Sequence, residues 1–175
     1  INFVENYSKL LMKNQKYLFL AITTIIALSL FRLIPHPPNF TPIFAISVFA
    51  GIKFKDNLFS YLVPVFAMLV SDVIIGFHSG MIIIYSAIVL SAFIARKFNS
   101  INSSILSSCI LFFLISNFQV WMLSSSYTKS FSGILECYTL AIPFFGMTLL
   151  STFFYSYVLF YGYSFLTKIK TYQKI

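Results

Sequence analysis

Charged side chains are scarce in this chain. They make up 9% of 175 residues, against an apolar fraction of 59%. A soluble domain carries roughly 25% charged residues. So few charges leave too much apolar surface for water, which excludes an ordinary soluble domain and makes lipid the natural solvent. Acids are rarer still, four Asp/Glu against twelve Lys/Arg, for a net charge of +8. Only two cysteines occur, Cys109 in an apolar run and Cys137 in a polar connection. Two thiols at unrelated depths make neither a disulfide framework nor a zinc site. No Gly-x-x-x-x-Gly-Lys-Ser/Thr segment is present, so the chain has no means of hydrolysing ATP alone. No internal repeat of inverted or parallel kind is visible. No basic patch interleaved with aromatics lies in a polar segment, so no nucleic-acid partner is expected.

Long apolar runs are what the sequence does contain. A membrane-crossing helix needs about 20 mostly apolar residues. The runs predict an all-α bundle of six transmembrane helices near 17–34, 42–54, 58–77, 81–95, 105–123 and 139–166. The second is short, which fits a tilted helix or one that begins below the surface after a re-entrant loop. Strand-based barrels do not carry such runs. The expected organisation is a polar, basic interfacial segment over 1–16, a six-helix domain over 17–166 and a basic tail over 167–175. There is no room for a soluble partner domain. The chain opens on Ile1 rather than Met, as expected of a sequence lacking its first residues. The first apolar run is too long and too poorly flanked for a cleaved signal peptide.

Cytoplasmic loops are enriched in Lys and Arg. Six crossings put Lys9, Lys13, Lys16, Lys53, Lys55, Arg96, Lys97, Lys168, Lys170 and Lys174 on one side. The other side receives Lys129, with Arg32 at the outer end of the first helix. Both termini are therefore expected in the cytoplasm, and the protein in the plasma (inner) membrane as a multi-pass protein. The net positive charge is read as topology and attraction to anionic lipid.

That topology places Arg32, His36, Asn39, Asp72, His78, Lys129 and Glu136 in the outer half. Asp72 is the one acid within a predicted span, and an intramembrane charge is costly unless paired or hydrated. Arg32 and Asp72 each stand about one turn from the outer end of a helix. Two readings are open and compatible: an ion pair holding two helices, and charges facing a ligand cavity. Pro35-His36-Pro37-Pro38-Asn39-Phe40-Thr41-Pro42 has four prolines in eight residues. It predicts a stiff, extended segment. Irregular backbone at membrane depth is tolerated where it is buried in protein or lines a wet cavity; a rigid turn with a solvated histidine is the plainer alternative.

Arg32, His36, Asn39, Asp72 and His78 are expected to converge on one outward cavity as substrate-binding residues. Tyr127, Lys129 and Glu136 are expected in a lid above it. Trp121, Tyr127 and Tyr138 sit near the outer interface, as belt residues or stacking surfaces. His36, His78 and Asp72 lack any close metal-ligand spacing such as His-x-x-x-His, so neither a metal nor another cofactor is expected. Ser71 is expected on a different helix face from Asp72, and nothing marks a nucleophile, so no enzyme is expected. Ala87, Ser91 and Ala95 form a small stripe on the fourth helix suited to close helix packing.

The stretch from Arg32 to Pro42, followed by Leu69-Val70-Ser71-Asp72-Val73-Ile74-Ile75-Gly76-Phe77-His78, resembles an uncharacterised family of small bacterial membrane proteins. That family is similar to the substrate-binding S components of energy-coupling factor (ECF) vitamin transporters. The resemblance runs from the first helix to the sixth. It implies six helices and a site open to the outside, roofed by the loop between the first two helices. It also implies uptake of a small, vitamin-like solute, with a separate energising module of a transmembrane coupling protein and ATPases as partner. S components dock through an Ala-x-x-x-Ala motif on the first helix. Here Ala21, Thr23, Thr24, Ala27 and Ser29 are small, but that motif is absent. The alternative is a non-transport membrane subunit that assembles with other proteins. A pocket of several hundred Å³ favours transport; a solid outer half favours the subunit.

Overall fold

The helices of this chain stop where proline, glycine or a polar turn stops them. A computed structural model describes residues 19, 22–54, 56–77 and 79–172, with 57 and 166–172 by backbone alone. The expected interfacial segment 1–16, Lys55, His78 and Lys174 lie outside the described residues. The fold is all-helical, with six helices and no strand among the described residues. They are α1 (Ile22–Leu33), α2 (Ile43–Lys53), α3 (Asn57–Ile75), α4 (Met81–Ala95), α5 (Ile101–Leu123) and α6 (Phe131–Tyr172). The last turn of α1, Leu30–Leu33, is 3-10. It ends before Pro35 because a residue preceding proline is pushed out of helical conformation. Asp56 caps α3, its carboxylate accepting from the Phe59 N–H at 3.1 Å, and Gly76 at φ 111° closes it.

Three stretches are long and apolar enough to cross a membrane: Leu58–Ile75, Ile101–Leu123 and Phe131–Phe165. Helices α1, α2 and α4 are apolar but shorter. The outer surface is apolar, with Ile82, Phe131, Phe77 and Tyr161 all exposed. The buried polar side chains are mostly hydroxyls. Several fold back on their own helix: Ser47 donates to the Ile43 carbonyl, Ser91 to Ala87 and Thr152 to Thr148. A hydroxyl satisfied in this way needs neither water nor a partner helix.

Helix α2 is the axis of the bundle and touches α3, α4, α5 and α6. Every residue from Ile43 to Gly51 is buried, as expected of a helix apolar all round. Its contact with α4 depends on Gly51: a Cβ there would lie 2.3 Å from the Ala92 carbonyl oxygen. The stripe Ala87, Ser91, Ala95 is buried and faces α5, where Ser108 donates to the Ser91 carbonyl and Ser104 to that of Ala95. At this end of the bundle Arg96 donates to the Phe54 carbonyl at 2.9 Å and to Ser60 at 3.1 Å. It thereby ties the exit of α2 to the start of α3.

Helix α6 begins earlier than the apolar run indicates, at Phe131 rather than near 139. Cys137 and Tyr138 thus stand on a helix and pack on α5. The Cys137 thiol meets the Asn117 carbonyl, and the Tyr138 hydroxyl donates to the Leu114 carbonyl at 2.6 Å. Cys109 and Cys137 are both buried free thiols.

Candidate functional site

The end of the bundle opposite Arg96 carries the polar chemistry. Arg32, in the 3-10 turn of α1, reaches α3 and donates through Nη1 to Asp72 Oδ1 at 2.7 Å, to Ser71 Oγ and to Met68 Sδ. The other carboxylate oxygen of Asp72 accepts from the Tyr85 hydroxyl of α4 at 2.9 Å. Both oxygens of Asp72 are therefore engaged, and its side chain is 1% exposed against 15% for Arg32. This arrangement joins α1, α3 and α4 in one hydrogen-bonded knot. Ser71 meets the same Arg32 nitrogen as Asp72, so the two share a partner although the sequence reading set them on different faces. Neighbours on a helix are about 100° apart, close enough for one guanidinium group to bridge.

After α1 the chain crosses the bundle mouth. Pro37-Pro38-Asn39-Phe40 forms a β-turn closed by the Phe40 N–H on the Pro37 carbonyl at 3.0 Å. Asn39 has φ 63°. With proline at the second position and positive φ at the third, the turn is type II, and Asn is one of the few residues that tolerates that third position. The turn is pinned to α6: Ser151 donates to the Asn39 carbonyl at 3.3 Å, and Phe40 packs on Phe154 and Tyr155. His36 Nδ1 donates to the Pro37 carbonyl at 2.9 Å. In neutral imidazole this leaves Nε2 as an acceptor.

Beneath the turn lies a cavity of about 380 Å³. Its polar lining is Arg32, His36, Asn39, Thr41 and Thr148; its apolar lining is Ile43, Phe44, Met68, Ile75, Ile84 and Phe112. Phe44 and Phe112 pair within its wall, ring centroids 4.3 Å apart. A mostly apolar recess with a few polar groups, of this volume, has the character of a small-molecule site. Thr148 donates its hydroxyl to the Phe144 carbonyl, leaving oxygen lone pairs for the cavity.

The structure brings Arg32, His36 and Asn39 together on this cavity. Asp72 is not part of its lining; it stands behind Arg32. His78 lies outside the described residues. Tyr127 and Lys129 occupy the α5–α6 connection and Glu136 the start of α6. From Phe112 to the end of α5 is eleven residues, about 16 Å of helix, and none of the three lines the cavity. Lys129 turns back on α5, donating to the Trp121 carbonyl and, at 2.6 Å, to that of Ser124. It also covers the Trp121 ring at 5.5 Å from its centroid. A lysine on the last carbonyls of a helix is a C-terminal cap. Trp121 is fixed in turn by its indole N–H on the Thr128 carbonyl at 2.9 Å.

Tyr85, Met68, Thr41, Thr148 and the Phe44–Phe112 pair were not singled out from the sequence. Met68 precedes Asp72 by one helical turn and Ile75 follows it by three residues, so the i, i+4, i+7 pattern carries a signal for that face. Tyr85 carries none, being one aromatic in an apolar run.

Comparison with curated proteins and with solved structures finds no match to either. A family model does match, over residues 12–175, which includes every described element of the bundle and the whole candidate site. The chain belongs to the family of unknown function DUF6580.

Proposed function

We propose that this chain is a multi-pass plasma-membrane protein that binds a small, vitamin-like solute from outside and takes part in its uptake, in the manner of an ECF S component. The observation that carries the reading is the 380 Å³ cavity lined by Arg32, His36 and Asn39 under a rigid proline turn. A turn fixed by Pro38 and docked on α6 holds its polar groups with little ordering cost on binding.

In this reading all six helices cross, the short ones supported by their longer neighbours, with both termini cytoplasmic. Basic residues at the two ends of the bundle support it: Lys53, Arg96 and Lys97 at the end where α2 and α4 finish, Arg32 and Lys129 at the cavity end. An excess of Lys/Arg marks the cytoplasmic side, so the cavity faces outward. The protein acts as a binder rather than an enzyme, and a separate module of coupling protein and ATPases supplies the energy. Tyr127, Lys129 and Glu136 would bear on the solute only by movement of the α5–α6 hairpin.

The test is mass spectrometry of small molecules released from the purified, detergent-solubilised chain. A stoichiometric organic compound that disappears from an Ile84→Trp variant, whose indole fills the cavity, is the expected result. A folded wild-type protein that retains no compound and takes up none from a cell extract would count against binding.

A further inference from the structure

We infer that the cavity recognises a monoanionic carboxylate on an apolar body, with the Nε–Nη2 edge of Arg32 as the carboxylate's seat. The inference rests on the solute-binding reading and adds the chemical class of the solute.

Arg32 makes all three of its contacts through one nitrogen, Nη1. Its Nε and Nη2 have no protein partner among the described residues, yet the side chain is only 15% exposed. Guanidinium has five N–H donors in a planar fork. Two of the remaining N–H bonds, one on Nε and one on Nη2, lie side by side on one edge of a mostly buried cation, and Arg32 lines the cavity. Two parallel N–H bonds from such an edge match the two oxygens of a carboxylate.

The cavity wall favours an acceptor group over a cation. No acidic residue lines the cavity among the described residues, and Asp72 is sealed behind Arg32 with both oxygens engaged. An ammonium ligand would meet the N–H donors of Arg32 and find no carboxylate on the cavity wall among the described residues. A phosphate dianion would bring two charges to a single cation already shared with Asp72. A single carboxylate adds one charge to the already paired Arg32 and Asp72, and the two N–H donors on the free edge of Arg32 match its two oxygens. Asp72 also holds the guanidinium in place before a ligand arrives, which reduces the ordering cost of binding. The rest of the wall suits an apolar or aromatic body, with Phe44 and Phe112 available for ring contacts.

The experiment compares three probes of one shape: 3-phenylpropionate, 3-phenylpropanamide and 3-phenylpropylamine. Each is titrated by ligand-detected NMR against the full chain in nanodiscs, wild type, Arg32→Lys and Ile84→Trp. The carboxylate is expected to bind the wild type about tenfold tighter than the amide, and the amine not to bind, because a charge-assisted bidentate contact is about twice as strong as a neutral one. Arg32→Lys keeps a cation beside Asp72 but loses the fork, and should remove most of the preference for carboxylate over amide. Ile84→Trp should abolish binding of all three. Amide or amine binding as tightly as carboxylate, and blocked by Ile84→Trp, would overturn the carboxylate assignment while leaving the cavity as a solute site. Binding by none of the three, or binding that survives Ile84→Trp, would overturn both.

Discussion

Asp72→Ala tests the polar knot at the cavity end directly. In that variant Arg32 Nη1 keeps Met68 and Ser71 but loses its one counter-charge, and the Tyr85 hydroxyl loses its acceptor. Removing one member of a buried ion pair costs about 3–5 kcal/mol, because the remaining charge is left uncompensated. Arg32 is 15% exposed, so water relieves part of the penalty and the lower end, about 3 kcal/mol, is the expected value. In a chain of this size each kcal/mol moves the unfolding midpoint by about 2–4 °C, which gives a fall of about 6–12 °C. The assay is thermal unfolding in detergent with a thiol-reactive fluorophore. Cys109 and Cys137 are free and buried, so labelling reports opening of the bundle. The double variant Arg32→Met/Asp72→Leu removes both charges and keeps the volume, and should recover most of the loss. A wild-type midpoint in Asp72→Ala, or a double variant no more stable than the single, would refute the ion-pair argument.

Asn39→Gly should be tolerated, whereas Asn39→Val should cost about 1–3 kcal/mol, since a β-branched residue is strained at φ 63°; equal midpoints for the two would contradict the type II turn. Gly51→Ala places a methyl 2.3 Å from a backbone oxygen of α4, and overpacking of this kind costs about 1–3 kcal/mol. The same thermal assay reads it, and an unchanged midpoint means that α2 and α4 are not in such close contact. Single cysteines replacing Lys55, Lys97 and Lys129 should label from the inside, the inside and the outside respectively; positions 55 and 129 reacting from one side would end the six-crossing topology.

Much of the fold was legible because membrane-type sequences write their helices as uninterrupted apolar runs. The bounds of α4 coincide with its run, and α2 and α3 fall within a residue or two of theirs. The start of α6 was not legible for the same reason. Residues 131–138 include Ser132, Gly133 and Glu136, so hydropathy falls there although the backbone is helical. The Arg32–Asp72 contact was legible as one of two readings, since both charges end their helices at matching depth. That Asp72 stands behind Arg32 was not. Which face of α3 Asp72 takes, and that Tyr85 supplies its second partner, are set by how α3 and α4 pack. The turn at Asn39 was half legible: prolines signal rigidity, but the positive φ and the anchor to Ser151, 112 residues away, exist only in the assembled bundle.

The cavity has its origin in the length of one helix. Eleven residues give α2 about 16 Å, while the nineteen of α3 give about 28 Å. A helix on the bundle axis that starts this late leaves a deficit of side chains at its own N-terminal end. There Ile43 and Phe44 form part of the cavity wall. Extending α2 to fill the space would require helical residues before Ile43, but Pro42, Pro38, Pro37 and Pro35 forbid it. The proline run therefore acts twice. It keeps the axis helix short, which makes the cavity, and its turn carries His36 and Asn39 across the opening. A mere interhelical connection needs neither effect, since a helix of ordinary length with a short polar turn would close the bundle with no void. The Nε–Nη2 edge of Arg32 has no protein partner there among the described residues, and a bound carboxylate would supply one.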